Sequence, residues 1–366
     1  MEKDARGPGS RKWPARLDDA LTVADAQCFR SMRTGVFSYS NPRVIHWGPG
    51  AVAQLDAEVQ RLEAHRPGLV TTRSLRSSLD RLGLDAAATA LVSQHAPMSQ
   101  IQEAEAQFKS AGADAIVSFG GGSVIDAAKI ISVRLAGGDG KALPHTAIPT
   151  TLSVAELAAG AGYTNEAGDK AGMRDPRLLV ETVIYDAELT LTTPMSLWLS
   201  TGIRALDHAV EGYLAPGDHP FNDVMAVEAI RRIFDSLPRA KAAASDVDVR
   251  TQNQVAAWFS FTLPGASAAG LSHTMGKQIG ARHGIPHGVT SCLLLPHVMR
   301  YLAKQMPEKL SALPSADAVQ ELIASLELPQ HIAAYGIGEP ELRRAAGELG
   351  GKYPAEDLLG IYLAAL

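Results

Sequence analysis

The chain has 366 residues, 46% of them hydrophobic, and sets 34 Lys and Arg against 39 Asp and Glu for a formal net charge of -5. That length accommodates two domains with ordinary cores. The charge is small and the basic residues are spread along the chain, which leaves no electrostatic footprint for nucleic acid, and no apolar run is long enough for a membrane span or a signal peptide.

Residues 1–33 are polar and charged and read as an N-terminal arm, either disordered or laid over a neighbouring subunit. The two cysteines, Cys28 and Cys292, lack metal-type spacing and form at most one bridge, which suits a reducing, cytoplasmic setting. From Val44 onward, apolar runs at Gly68-Leu69-Val70-Thr71-Thr72, Ala115-Ile116-Val117-Ser118-Phe119, Thr146-Ala147-Ile148-Pro149 and Thr182-Val183-Ile184-Tyr185 alternate with helical patterns. Such alternation predicts βαβ units and a mainly parallel sheet. Past Asp186 strand signals fade, and helical periodicity covers Ser196 to Leu214, Phe221 to Leu237, Asp248 to Phe261 and Ser315 to Leu326. The expectation is an α/β domain over residues 34–185, an all-α domain over 186–366, and a ligand cleft between them.

Gly120-Gly121-Gly122-Ser123 follows a strand and precedes the helical run Val124 to Val133. Glycines let the backbone approach a pyrophosphate, the helix N-terminus supplies unpaired N–H groups, and Ser123 adds a hydroxyl. A glycine cluster alone is equally a tight turn. No Lys-Ser pair follows, and the spacing differs from the usual dinucleotide fingerprint, so neither a P-loop nor a standard Rossmann domain is supported.

A second group of five residues is Arg204, His208, His273, Lys277 and His287. Arg204 and His208 lie one helical turn apart, as do His273 and Lys277, so each pair shares a helix face. Three imidazoles at one point would suit Zn or Fe. A guanidinium among them works against this, because it has no lone pair to offer, and its repulsion of a divalent ion amounts to roughly 8 kcal/mol at about 4 Å and an effective dielectric near 20. Asp207 points about 100° away from His208 around the helix and is a poor substitute ligand.

With Asp126 and Lys129 the glycine run becomes Gly-Gly-Gly-Ser-x-x-Asp-x-Ala-Lys, which resembles the iron-containing alcohol dehydrogenase superfamily with its dehydroquinate-synthase-like fold. Phe37-Ser38-Tyr39, the stretch from Arg43 to Gly50, Ile148-Pro149-Thr150-Thr151, His208-Ala209-Val210-Glu211 and Pro286-His287-Gly288 follow in the superfamily's order. The short loop from Thr150 to Glu156, with Arg174-Asp175-Pro176-Arg177 and Val183-Ile184-Tyr185-Asp186, is similar to the maleylacetate reductase branch. That resemblance implies an N-terminal NAD(P)-binding domain, a helical C-terminal domain, a homodimer, and reduction of maleylacetate to 3-oxoadipate by NADH or NADPH.

Carried across residue by residue, the resemblance assigns Gly121, Gly122, Ser123 and Asp126 to the cofactor's phosphate side, and Thr150, Thr151 and Leu152 to its adenine and nicotinamide side. Thr72 and Arg73 stand where the alcohol dehydrogenases place an Asp against the ribose, so Arg73 or Arg76 would meet a 2′-phosphate. His208, His273 and His287 match the three metal-binding histidines, but Arg204 occupies the position of the metal-binding Asp, and Lys277 replaces a further His. No metal is therefore expected. One reading makes Arg204 and Lys277 catalytic: they grip a substrate carboxylate or polarise a carbonyl, and Lys277, buried beside Arg204 with a lowered pKa, donates the proton. The other pairs Arg204 with Asp207 or Glu211 as an internal salt bridge. Val154 and Ala155 replace a small polar pair beside Glu156, which keeps open a repurposed enzyme of the same fold, either a biosynthetic reductase of another carbonyl compound or a non-redox isomerase, lyase or cyclase.

Overall fold

The computed structural model describes residues 44–137, 140–263 and 270–366. The expected arm, Phe37-Ser38-Tyr39, Arg43 and Cys28 lie outside these residues. The strands are β1 (Val44–Trp47), β2 (Pro67–Thr71), β3 (Ala88–Leu91), β4 (Ala115–Gly120), β5 (His145–Pro149), β6 (Gly160–Thr164), β7 (Lys170–Arg174) and β8 (Thr182–Tyr185). Six of them form one parallel sheet in the order β1-β8-β5-β4-β2-β3. Helices α1 (Leu55–Arg61), α2 (Met98–Ala111) and α3 (Gly122–Ala136) belong to this half. Its central strands are buried along their whole length, as expected for a parallel sheet covered on both faces. Alternate residues of β4 serve opposite faces: Ile116 packs with Ile101, Phe108 and Ile130, while Val117 and Phe119 pack with Leu55, Ile148 and Ile184.

After Tyr185 the described chain contains helices and turns only: α4 (Met195–Leu214), α5 (Pro220–Ala242), α6 (Val247–Phe259), α7 (Leu271–His283), α8 (His287–Ala303), α9 (Pro307–Leu310), α10 (Ala316–Ser325), α11 (Glu339–Glu348) and α12 (Ala355–Ala364). Helix α4 is buried on every side from Trp198 to Gly212, which makes it the central helix of this half. Where it meets α8 the backbones touch: a Cβ on Gly288 would lie 2.7 Å from the Ser200 carbonyl oxygen, so only glycine fits there. The expected α/β half followed by an all-α half is what the structure shows.

The antiparallel hairpin β6–β7 has no counterpart among the predicted elements. Its strands, GAGYT and KAGMR, bury few side chains and lack an apolar stripe, so their pairing left little signal. Asp126 on α3 accepts the Gly162 N–H at 2.9 Å and ties the hairpin to the sheet.

Candidate active site

The carboxyl ends of β2, β4 and β5 converge where strand order reverses around β4, the place a doubly wound sheet offers a ligand. Gly121 is the N-cap of α3, and Gly122 opens the helix. Close approach demands the glycines. A Cβ on Gly120 would meet Val124 Cγ2 at 2.8 Å, one on Gly121 would meet Thr151 Cγ2 at 3.0 Å, and one on Gly122 would meet Ser153 Oγ at 2.9 Å. Ser123 Oγ accepts the His95 N–H at 3.0 Å and keeps its own proton available to donate. Thr72 caps the turn that follows β2, and Arg73 and Arg76 are exposed just beyond it. Gly121, Gly122, Ser123, Thr72 and Arg73 thus border one edge.

Two of the expected cofactor residues are engaged within the protein itself. Leu152 turns its side chain into the helical half, beside Trp198 and Leu199, and its N–H is held by Thr201 Oγ1 at 3.1 Å. Asp126 is engaged by Gly162 and by Lys129 at 3.6 Å, and so fastens the hairpin to α3. Thr150 and Thr151 are buried against the glycine run, the Thr150 N–H bonding Gly120 at 3.0 Å. The loop beyond them is fastened by Lys129, whose ammonium donates to the carbonyls of Ala155, Ala158 and Gly160.

Across the cleft, His208 on α4, His273 on α7 and His287 on α8 form a row. Ring centroids are 5.9 Å apart for His208 and His273, and 5.7 Å for His273 and His287. Phe261 packs edge-on against His208 at 5.0 Å. The Nδ1 atoms of His208 and His273 are buried without a hydrogen-bond partner. Burial, then Arg204, holds the His208 imidazole well below its ordinary pKa. His287 sits at the cleft mouth, where solvent reaches its ring although protein surrounds it on most sides. Desolvation lowers its pKa strongly, and Arg204, Lys170, His208 and Lys277 all push the same way. His208 and His287 are thus both pushed toward the neutral imidazole.

Arg204 does not face the cleft as a free cation. Its Nη1 donates to Asp207 Oδ2 at 3.1 Å and to Ser291 Oγ at 3.0 Å, and both charged side chains are buried. The internal salt bridge with Asp207 that the sequence allowed is present. Glu211 instead accepts the N–H groups of Gly270 and His273, capping α7. Lys277 is also corrected: its side chain is exposed, not buried beside Arg204 as expected. A residue the sequence reading passed over takes the more enclosed position. Lys170, on β7, is half-buried, donates to the Gly280 carbonyl of α7 at 3.4 Å, and acts electrostatically on both His95 and His287. Burial lowers its pKa.

A parallel sheet with a glycine-lined helix N-terminus, followed by a helical half that carries polar and basic groups, is the architecture of a dehydrogenase-type enzyme. The family description "Iron-containing alcohol dehydrogenase" matches residues 42–187, and "Fe-containing alcohol dehydrogenase family, C-terminal" matches residues 198–349. The chain belongs to this family, in its maleylacetate reductase branch, and is an oxidoreductase. It is 32% identical over 303 residues to maleylacetate reductase 1 of Cupriavidus pinatubonensis, covering 81% of this chain and 82% of that one. The crystal structure of maleylacetate reductase from Agrobacterium tumefaciens superposes with a TM-score of 0.81 at 29% identity, covering 91% of this chain and 99% of that one. Sulfoacetaldehyde reductase from Bifidobacterium kashiwanohense, solved in complex with NAD+, shares the fold with a TM-score of 0.80 at 22% identity, over 91% of this chain and 99% of that one.

The family name implies iron, and the donor set here does not fit it. Among the described residues no three His, Cys, Asp or Glu side chains gather so as to hold a metal ion. The nearest arrangement, the histidine row, has a guanidinium in electrostatic contact with two of its rings.

Proposed function

We propose that the protein is an NADH- or NADPH-dependent, metal-independent reductase of a small anionic carbonyl or enone compound similar to maleylacetate. The observation that carries this reading is the pairing of an intact glycine cradle with three cations, Arg204, Lys170 and Lys277, whose charges reach His287. When bound, the nicotinamide supplies the hydride. Gly121 and Gly122 admit the pyrophosphate to the N-terminus of α3, and Ser123 donates its hydroxyl. Lys170 and Lys277, from opposite halves of the chain, flank His287 and hold an anion at the cleft mouth. Neither lysine forms an ion pair with a described residue, so neither is neutralised in advance. Arg204, whose charge reaches His208 and His287, works against a competing metal cation there, and the proton is delivered from an ammonium or from water.

The exposed edge of β1, ending in Trp47 at 58% exposure, supports a homodimer, and the buried free thiol of Cys292 suits a reducing, cytoplasmic setting. No nucleic-acid or membrane partner is proposed; among the described residues no helix is long and apolar enough to cross a membrane.

The test is oxidation of NADH or NADPH, followed by loss of nicotinamide absorbance, when maleylacetate is added to metal-free protein. Turnover undiminished by chelator is the expected result. Turnover that appears only after iron or zinc is supplied sinks the metal-independent reading. Conversion of the compound without nucleotide oxidation sinks the reductase itself.

A further inference from the structure

Asp207 Oδ2 accepts three hydrogen bonds, each from a different direction: Arg204 Nη1 at 3.1 Å, Ser272 Oγ at 3.0 Å and Ser291 Oγ at 2.6 Å. Ser291 Oγ also accepts from Arg204 at 3.0 Å, which closes a ring of bonds. All four side chains are buried, with Asp207 fully inaccessible. They come from three helices, Arg204 and Asp207 from α4, Ser272 from α7 and Ser291 from α8. Each of these helices also carries one member of the histidine row, and the bonded residues are its neighbours: Asp207 precedes His208, Ser272 precedes His273, and Ser291 lies one turn after His287.

A shift of one helix along another would therefore break the ring and the row together. Burying one ion pair is neutral or unfavourable for stability compared with apolar packing, so stability is a weak reason for this arrangement. Fixing a register is a better one.

We infer that the Arg204–Asp207 pair, seated between Ser272 and Ser291, is a positioning device: it locks α4, α7 and α8 in the register that aligns His208, His273 and His287, as a shared cation would. Arg204 brings its charge covalently, and the Asp207 carboxylate it holds gathers the two serine hydroxyls from α7 and α8. Neither charged residue has to touch the substrate. The inference is independent of the substrate assignment, because its main readout requires no turnover.

Two double variants test the device. Arg204→Met with Asp207→Leu removes both charges at similar volume. We expect it to fold and to bind NADPH within about twofold of the parent, since the glycine cradle lies on the other half, while kcat falls roughly a hundredfold through misplacement of the row. Arg204→Asp with Asp207→Ala puts a carboxylate one turn before His208 and removes the guanidinium, which makes a three-histidine, one-carboxylate donor set. We expect it to take up one Co2+ per chain, seen by its visible absorption, where the parent takes up none. Stoichiometric Co2+ in the parent, or none in this variant, overturns the inference, as does a kcat within twofold of the parent in the first variant. Should either fail to fold, Ser272→Ala with Ser291→Ala keeps the ion pair and removes only its links to α7 and α8. A severalfold loss of kcat with an unchanged KM for the nucleotide is then expected. An unchanged kcat overturns the device. If the parent shows no reductase activity, the Co2+ comparison still decides.

Discussion

Tyr185 Oη donates to Glu156 Oε1 at 2.8 Å, while Glu156 Oε2 is buried without a partner. Both residues are inaccessible to solvent. Burial raises the Glu156 carboxyl from an ordinary 4.5 to about 7, against the opposing pull of its own backbone N–H, Tyr185 and Lys129. A carboxyl raised in the folded state contributes stability that is complete below the unfolded value, and that is lost as pH rises through the folded value. The window therefore runs from 4.5 to about 7. Glu156→Gln removes this dependence. Urea unfolding at about pH 5 and about pH 8 should show the variant gaining on the parent at the higher pH, by no more than about 3 kcal/mol. An equal difference at both values would mean that Glu156 is ionised throughout.

Lys170 reaches the cleft from β7 and adds positive potential at His95 and His287. Lys170→Met keeps the aliphatic stem and deletes the charge. The KM for the anionic ligand that the ammonium faces should rise about tenfold, and its salt dependence should flatten. Determining the KM for the nucleotide and for the oxo acid separately identifies which anion it is, and no change in either removes Lys170 from the site. The imidazoles of His95 and His287 should both titrate higher in the variant, which proton NMR reads directly.

How much of this was legible in the chain differs from element to element. Thr182–Tyr185 forms a strand at the predicted residues because all four side chains are buried, so its apolar run is unbroken. The glycine cradle was legible for a similar reason, since contacts within a strand-turn-helix unit are local in sequence. The hairpin was not, and with it went Lys170, whose place depends on a backbone pairing between residues of mixed polarity. The spacing of Arg204 and His208 correctly placed both on α4. The surroundings that hold Arg204 and Asp207 come from Ser272 and Ser291, 65 and 84 residues from Asp207, which no local pattern reports. Leu152 packs into the helical core and Asp126 bonds Gly162, contacts the resemblance did not report, because motif position fixes the backbone and leaves open which way a side chain is drawn by its core.

Val154 adopts a left-handed backbone conformation, φ 55° and ψ 20°, which is costly for a β-branched residue. Its side chain is buried with Leu152 and Leu157 in the helical half, and that packing offsets the strain. Truncating it separates the two effects. Both Val154→Ala and Val154→Gly lose most of the buried surface, but only glycine is at ease at this φ. Val154→Gly should therefore be more stable than Val154→Ala by about 1 kcal/mol in denaturant unfolding, although glycine is ordinarily the less stable choice. The opposite order would mean that the loop relaxes out of the left-handed region once the side chain is shortened.

Arg73 and Arg76 stand exposed at the turn that Thr72 caps, and neither is paired with a described carboxylate. An anion arriving beyond the end of β2 meets two uncompensated guanidinium groups and no acidic side chain in this turn's first residues. A 2′-phosphate presents such an anion, whereas a ribose hydroxyl does not. Arg73→Ala with Arg76→Ala should raise the KM for NADPH roughly tenfold and leave that for NADH within about twofold. Because both residues are exposed, the effect should shrink as salt is added. The comparison to make is the ratio of the two constants in parent and variant at one ionic strength, and a ratio that does not move assigns both arginines to the solvated surface.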